Sequence, residues 1–514
     1  MRLIMVWRNI HLTAISYSHY FPPMKRTPSG IAPVIQLRKR TTNSLYRQVY
    51  EGYRKAIVEG NLRTGQRVPS TRVLAVELGI SRMPVLNAYA QLLAEGYFES
   101  RVGSGTVVSR SLPERSANPQ PTARSRGAGQ ERRRVSKRCS PLAGAQSFST
   151  ARGLGPFTVS QIAFDCFPLQ VWNRLVTRHA RGLQAKSLDY GDPMGLKELR
   201  DGIAEYLRIA RGVRCDAGQI IIVSGSQQGL EITTRVLLDP KDHVWMEEPG
   251  YRFARSVFAS AGCTVVPVPV DAEGLIVSAG AKKCGHARAV LVTPSHQYPL
   301  GVTMSASRRL QLLDWAENNG SWIIEDDYDS EYRYEGMPVT PLQGLDRHSR
   351  VVYIGTFSKV LFPSLRLGYV VVPEDLVEQF RAARFAVDIA PSTFPQAVLA
   401  DFIREGHFAR HIRRTRLVYG ERRNTLIENL SEGFGASVEM MGAEAGMHLA
   451  VVLNGISDKE VSVRAATENL WLVPLSSFYL GKNVKQGFIL GFGSTPVPQI
   501  PGAVRKLRAL LRSH

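Results

Sequence analysis

The first sustained pattern along the chain places Leu45, Val49, Tyr53, Ala56 and Ile57 at i, i+4, i+8, i+11 and i+12, which predicts an amphipathic helix that buries one face. Pro69-Ser70-Thr71 offers cap chemistry for a second, short helix that turns Leu74 and Leu78 inward and stops at Gly79. Ser81 is expected to cap a third. There Val85, Leu86, Tyr89, Leu92 and Leu93 share the inner face, Asn87 and Gln91 project opposite, and Pro84 falls in the first turn, where its missing N–H costs little. Phe98, Ser100 and Val102, the turn Gly103-Ser104-Gly105 and Thr106-Val107-Val108 then read as a β-hairpin. Two short helices joined by a glycine turn, the second with a polar outer face, form a helix-turn-helix, and the hairpin is its wing.

Before this unit, residues 1–35 show no sustained period and carry Pro22-Pro23, Pro28, Gly30 and Pro33, so they read as an unstructured tail or a misassigned start, with Met24 as the other candidate initiator. The patterned head spans 36–110. Residues 111–155 hold prolines, glycines and Arg132-Arg133-Arg134 with little apolar content, and are expected to form a flexible basic linker. From 156 to 514 the apolar runs Ile220–Val223, Val265–Val270, Ala289–Thr293, Trp322–Glu325, Val351–Ile354 and Leu367–Val372 alternate with helical patterns. That alternation predicts βαβ units and a mostly parallel sheet, hence an α/β body behind a winged head.

Composition sharpens this picture in three places. With 44% hydrophobic and 21% charged residues the chain can bury a core, which excludes a wholly disordered or collagen-like protein. Its net charge of +21 is unevenly spread: residues 1–150 hold 24 Lys+Arg against 7 Asp+Glu, and residues 151–514 hold 41 against 37. The head and linker are thus a polyanion-binding module on a nearly neutral body. The five cysteines, at 139, 166, 215, 263 and 284, form no close pair, so the pattern fits a reducing cytoplasm better than a disulfide framework or zinc ribbon. No apolar run is long and uncharged enough to be read as a membrane span.

In the head, Arg72, Arg82 and Arg101 are candidates for phosphate contacts, and Asn87 for an adenine edge. The segment from Leu45 to Ser109 closely resembles the winged helix-turn-helix of GntR-type regulators. That resemblance implies DNA contacts from Ser70, Arg72, Ser81 and Arg82. Where members often carry Thr, Thr and Arg, this chain has Met83, Pro84 and Asn87.

In the body, Gly355-Thr356-Phe357-Ser358-Lys359 follows a strand and leads to Arg366 seven residues on. A lysine flanked by hydroxyls and followed by a guanidinium suits an aldehyde cofactor bearing a phosphate, through a Schiff base and an anion cradle. Glu325-Asp326-Asp327-Tyr328 puts carboxylates just past a buried strand, where ligands gather in open α/β sheets. One of them can keep a pyridine nitrogen protonated. Two adjacent acids also read as a metal site, but no histidine stands near them with ligand spacing, and no metal is expected. Ser224 to Gly229 opens a helix after a strand, a place for phosphate, and Tyr251 offers an aromatic ring at another strand end.

Together these spacings resemble the fold-type I, aspartate-aminotransferase-like domain that binds pyridoxal 5′-phosphate (PLP). The resemblance implies Lys359 as the Schiff-base lysine, Asp326 as the pyridine-nitrogen partner and Tyr328 as the residue near the phenolic oxygen. It further implies Tyr251 as the stacking ring, Ser226, Gln227, Thr356 and Arg366 as the phosphate cup, and Tyr190 as a residue reaching into a neighbouring subunit, hence a homodimer. A GntR-like head linked to such a domain is the architecture of the MocR subfamily, which implies a regulator of promoter DNA that senses PLP or a small amine or amino-acid-like effector. In GABA-responsive members an arginine clamps the effector carboxylate where this chain has Ser477, leaving Arg252, Arg255 and Arg413 as substitutes. Tyr298 stands where transaminases carry asparagine, which weakens the rival reading of a working aminotransferase with a DNA-binding head.

Overall fold

The computed structural model describes residues 43–101, 105–110, 155–337, 339–482 and 484–512, with positions 32, 33, 35, 37, 136 and 138 besides. The turn residues Val102 to Ser104, most of the N-terminal tail and nearly all of the expected linker lie outside the described residues. The chain divides into two units, one ending at Arg133 and the other beginning at Arg134.

In the first unit, α1 (Leu45–Val58) buries Val49, Tyr53, Ala56 and Ile57, the stripe its sequence predicts. Helix α2 (Thr71–Glu77) starts at Ser70, whose hydroxyl accepts the Val73 N–H at 3.3 Å, so one orphan donor of the first turn is satisfied. Helix α3 (Arg82–Ala94) buries Val85, Ala88, Tyr89 and Leu92. Two expectations need correction here. Ser81 occupies the cap position but makes no side-chain cap bond, and Leu86 and Leu93 are exposed rather than part of the inner face. The inner stripe is narrower than the run of leucines suggested, and small Ala88 lets α3 pack closely on α1. Strands β1 (Phe98–Arg101) and β2 (Gly105–Val108) pair antiparallel as the wing. Tyr53, Tyr89 and Phe98 meet edge to face at centroid distances of 5.1–5.5 Å and tie helices to wing. Ala32 and Ile35, which fall within the segment expected to be an unstructured tail, pack against this core.

The second unit is built on an eight-stranded sheet. In chain order its strands are β3 (Ile220–Val223), β4 (His243–Glu248), β5 (Thr264–Asp271), β6 (Gly274–Leu275), β7 (Ala289–Val292), β8 (Trp322–Asp327), β9 (Val351–Thr356) and β10 (Gly368–Val371). Across the sheet they run β3-β10-β9-β8-β7-β4-β5-β6. Neighbours from β9 to β5 pair parallel, while β10 runs antiparallel between β3 and β9, and β6 antiparallel on β5. The sheet is therefore mixed. Strands β3, β7, β9 and β10 are buried along their whole length, because helices cover both faces, and this is why they read as continuous apolar runs. A second, four-stranded antiparallel sheet, β11 (Glu439–Met441), β12 (His448–Val452), β13 (Val473–Pro474) and β14 (Gly487–Gly491) in the order β11-β12-β14-β13, follows the long helix His407–Phe434.

Phe98 is 2% exposed and touches both helical partners of the wing. Phe98→Ala should destabilise the head by about 3–5 kcal/mol. Hydrogen exchange should show α1 and α3 amides opening sooner while β7–β9 amides keep their protection; unchanged protection in α1 and α3 would contradict this packing.

Candidate functional site

Parallel strands end together, so their carboxyl edge collects loops from distant parts of the sequence. Here that edge gathers Gly225 after β3, Glu248 at the end of β4, Asp326 and Asp327 at the end of β8, and Thr356 at the end of β9; because β10 is antiparallel, its first residue, Gly368, lies at the same edge, paired with Val223 and Thr356. A Cβ on Gly368 would come within 3.0 Å of Gly225, so both glycines are required for this close approach.

Asp326 and Asp327 are adjacent, yet the strand's alternation sends them to different partners. Asp327 accepts from the Arg211 guanidinium at 3.0 Å and from the Tyr353 hydroxyl, so it is partnered inside the fold. Asp326 is buried and its Oδ1 has no hydrogen-bond partner. Burial, followed by the neighbouring Asp327 charge, pushes its carboxyl up to about 7, and the Lys359 ammonium pulls in the other direction. Lys359 itself is half-buried in the loop after β9. The lysine loop and the Asp326 carboxyl thus lie at neighbouring strand ends, near enough for the ammonium to act on the acid.

On one side of that region α4 (Ser226–Leu237) begins after Gly225, whose φ of 101° only glycine adopts comfortably. Ser226 and Gln227 occupy its first turn; Gln227 Nε2 donates to the Phe253 carbonyl at 3.3 Å and its Oε1 is buried without a partner. Arg366, with a left-handed φ of 51°, lays its guanidinium over Gly225, where an added Cβ would sit 3.3 Å from Nη1. The buried Thr356 hydroxyl accepts the Ser358 N–H at 3.2 Å, which leaves its own proton to donate. A helix N-terminus, two hydroxyls and a guanidinium in this arrangement suit a phosphate-sized anion.

On the other side aromatic rings form a wall. Tyr298 packs edge to face with Tyr251 at 5.9 Å, Tyr328 at 5.8 Å and Phe478 at 5.3 Å. The loop that carries it is fixed by Glu247, which accepts from the Thr293 N–H and hydroxyl and from Gln297; burial pushes the Glu247 carboxyl up to about 7. The Tyr328 hydroxyl donates to the His296 carbonyl at 2.9 Å and lies 3.0 Å from His296 Nδ1. Tyr190 stands apart: it is 77% exposed in its loop.

One cluster was missed by the sequence reading. No histidine has ligand spacing to the adjacent acids Asp326 and Asp327, but His296 Nδ1 lies 3.2 Å from Oδ1 of Asp329, two residues further on, and His448 of β12 packs 4.8 Å from the His296 ring. The three are buried, their candidate ligand atoms all lie within 4.8 Å of one another, and they come from segments 33 and 119 residues apart, a separation at which no spacing rule operates. Burial, then the His296 charge, holds His448 well below the usual imidazole range. Of the expected carboxylate readers, Ser477 donates its hydroxyl to Pro474, Arg255 donates to the Phe478 carbonyl and lies 3.8 Å from Glu248, Arg252 stacks over Phe253 and Phe478, and Arg413 is exposed on the long helix.

In the head, Arg82 Nε donates to Thr71 Oγ1 at 3.1 Å and the Tyr89 hydroxyl to the Pro69 carbonyl at 2.9 Å, so α3 is latched to the start of α2. Arg72, Ser81, Arg82 and Asn87 are exposed, while Ser70, also exposed, is engaged as the α2 cap. Arg101 ends β1, and its side chain lies outside the described residues.

Residues 157–489 match the family described as aminotransferase class I and II, and residues 45–108 that described as bacterial regulatory proteins, gntR family. The chain is 39% identical to the probable rhizopine catabolism regulatory protein MocR of Rhizobium meliloti, over 90% of this chain and 93% of that one. It is 31% identical to the pyridoxine biosynthesis transcriptional regulator PdxR of Corynebacterium glutamicum, over 90% and 94%. Among solved structures it is similar to the kynurenine aminotransferase of Pyrococcus horikoshii in complex with PMP, with a TM-score of 0.66 and 28% identity over 76% of this chain and 97% of that one. Among the described residues no helix is long and apolar enough to cross a membrane.

The Asp326 carboxyl ionises near 3.8 in the unfolded chain and near 7 in the fold, so the wild-type fold loses stability as pH rises between those values. In protein dialysed free of small ligands, Asp326→Asn should therefore gain stability over wild type from pH 4 to 7, by at most about 1.4 kcal/mol per pH unit, and level off above. Denaturant melts across that range check it; a difference independent of pH would contradict the buried, unpaired carboxylate.

Proposed function

The chain belongs to the MocR type of gntR-family transcription regulators, a helix-turn-helix head carried with an aminotransferase class I and II domain, and from that premise we propose that it binds PLP through Lys359 and couples a small amine effector, or PLP itself, to promoter binding. The observation that carries this reading is the buried, unpartnered Asp326 Oδ1 facing the region of Lys359 while Asp327 is consumed by Arg211 and Tyr353. An orphaned buried acid costs free energy unless a cationic or donating group completes it. A protonated pyridine nitrogen is such a group.

The residues present fit PLP. The first turn of α4, with Ser226 and Gln227, together with Thr356 and Arg366 would hold the phosphate, Tyr251 would lie against the ring and Tyr328 near the phenolic oxygen. When bound, PLP supplies an aldehyde that captures amines and a ring that draws electrons. Lys359 would hold that aldehyde through its amine, and the Asp326 carboxyl, on which the Lys359 ammonium acts, would face the ring's cationic nitrogen. Tyr190, exposed in one chain, is assigned to the partner's site in a homodimer. For effector and DNA to be coupled, the effector must bind the two placements of the DNA heads with different affinity. The exposed Arg72 and Arg82 supply phosphate contacts at a promoter.

Lys359→Ala is expected to abolish the near-ultraviolet and visible absorption band that wild type gains on adding PLP, with the dimer retained by light scattering; a retained band would move the attachment elsewhere. Arg82→Ala should weaken promoter binding and reduce the slope of log affinity against log salt by about one. Titrations at low and high salt read this, and identical slopes would remove Arg82 from the interface.

A further inference from the structure

Helix α3 carries one charged residue, Arg82, among its thirteen. Its inner face is Val85, Ala88, Tyr89 and Leu92. Its outer face is also apolar: Met83 is 61% exposed, Leu86 39%, and Ala90 is exposed with them. With Asn87 these residues sit at i, i+3, i+4 and i+7, a single stripe pointing away from the core. Packed against the same core, α1 turns Arg47, Glu51, Arg54 and Lys55 outward, as a helix with a solvated face does. Val73 and Val76 of α2 are exposed as well, but the α3 stripe lies on the helix that a helix-turn-helix lays in the major groove, where an apolar outer face needs an apolar surface to meet.

The polar groups around the stripe narrow what that surface is. Arg82 stands at the start of the helix with its Nε on the Thr71 hydroxyl, and Gln91 spends its amide on the Glu95 carboxylate at 2.9 Å. Asn87 is then the one polar side chain within the stripe. In the major groove an asparagine amide pairs with N6 and N7 of adenine, apolar side chains meet the C5-methyl of thymine, and guanine is read by Arg or Lys. Charge for the backbone is abundant elsewhere: residues 1–150 carry 24 Lys+Arg against 7 Asp+Glu, so the reading face need not supply it.

We propose that α3 reads A·T pairs, with Asn87 on an adenine and Met83, Leu86 and Ala90 against thymine methyl groups. This rests on the promoter-binding reading of the head and specifies its operator.

Selection of full-length protein on a random-sequence duplex library tests it. The enriched sites should have A·T pairs at the core protected by α3. Replacing thymine there by deoxyuracil, which removes only the methyl, should lower affinity about fourfold per contacted base. Asn87→Ala, at an exposed position where folding is untouched, should lower affinity for the selected site at least about fivefold and flatten the preference at one pair. Asn87→Arg should shift that pair towards guanine. A G·C core, or affinity indifferent to deoxyuracil and to Asn87→Ala alike, would overturn the inference while leaving DNA binding intact. Enrichment of no duplex at any salt would overturn the promoter-binding reading and this inference with it.

Discussion

Two adjacent carboxylates at the end of one buried strand cannot both be left unpaired, and the body of this protein is arranged around how that constraint is met. Asp327 is neutralised by Arg211 and the Tyr353 hydroxyl within the fold, which allows Asp326 to stay buried without a partner beside the lysine loop. Removing Arg211 would place two uncompensated acids side by side. The strand's alternation decides which of the two is structural and which is available, and the glycines at 225 and 368 bring the anion cradle up to the same edge. Aromatic packing of Tyr298 against Tyr251, Tyr328 and Phe478 then closes the opposite side.

Much of this is legible in the amino-acid sequence alone. Long buried strands announce themselves as unbroken Ile and Val runs because both faces are covered, and α1 announces itself by a clean stripe. The direction of β10 was not legible: a strand's polarity depends on the length and route of its connection, and Leu367–Val372 reads the same either way. The second sheet was missed because β11 and β13 are three and two residues long, below the length at which alternation can be counted. In the head, Leu86 and Leu93 looked like core because they are leucines; the positions of Ala88 and Tyr89 set the real inner face.

The candidate site shows the same division. Lys359, Asp326, Thr356 and Arg366 stand out in the sequence because each lies in a local motif at or near a strand end, and the fold brings those strand ends to one edge. The His296–Asp329–His448 cluster has no local signature, since its members meet only when β12 comes up to the loops that follow β7 and β8. Tyr190 carries nothing within one chain to identify it, and its assignment draws on family resemblance. Head and body differ accordingly: a basic unit whose third helix exposes an apolar stripe, and a nearly neutral unit that keeps the unpartnered Asp326 Oδ1 at the end of β8.

The account stands on the covalent role of the amine at Lys359. Incubation of the full chain with PLP, reduction with borohydride, proteolysis and mass spectrometry test this most directly. The account predicts a stoichiometric phosphopyridoxyl adduct on the peptide containing Lys359; its absence there, or its distribution over surface lysines, would contradict it.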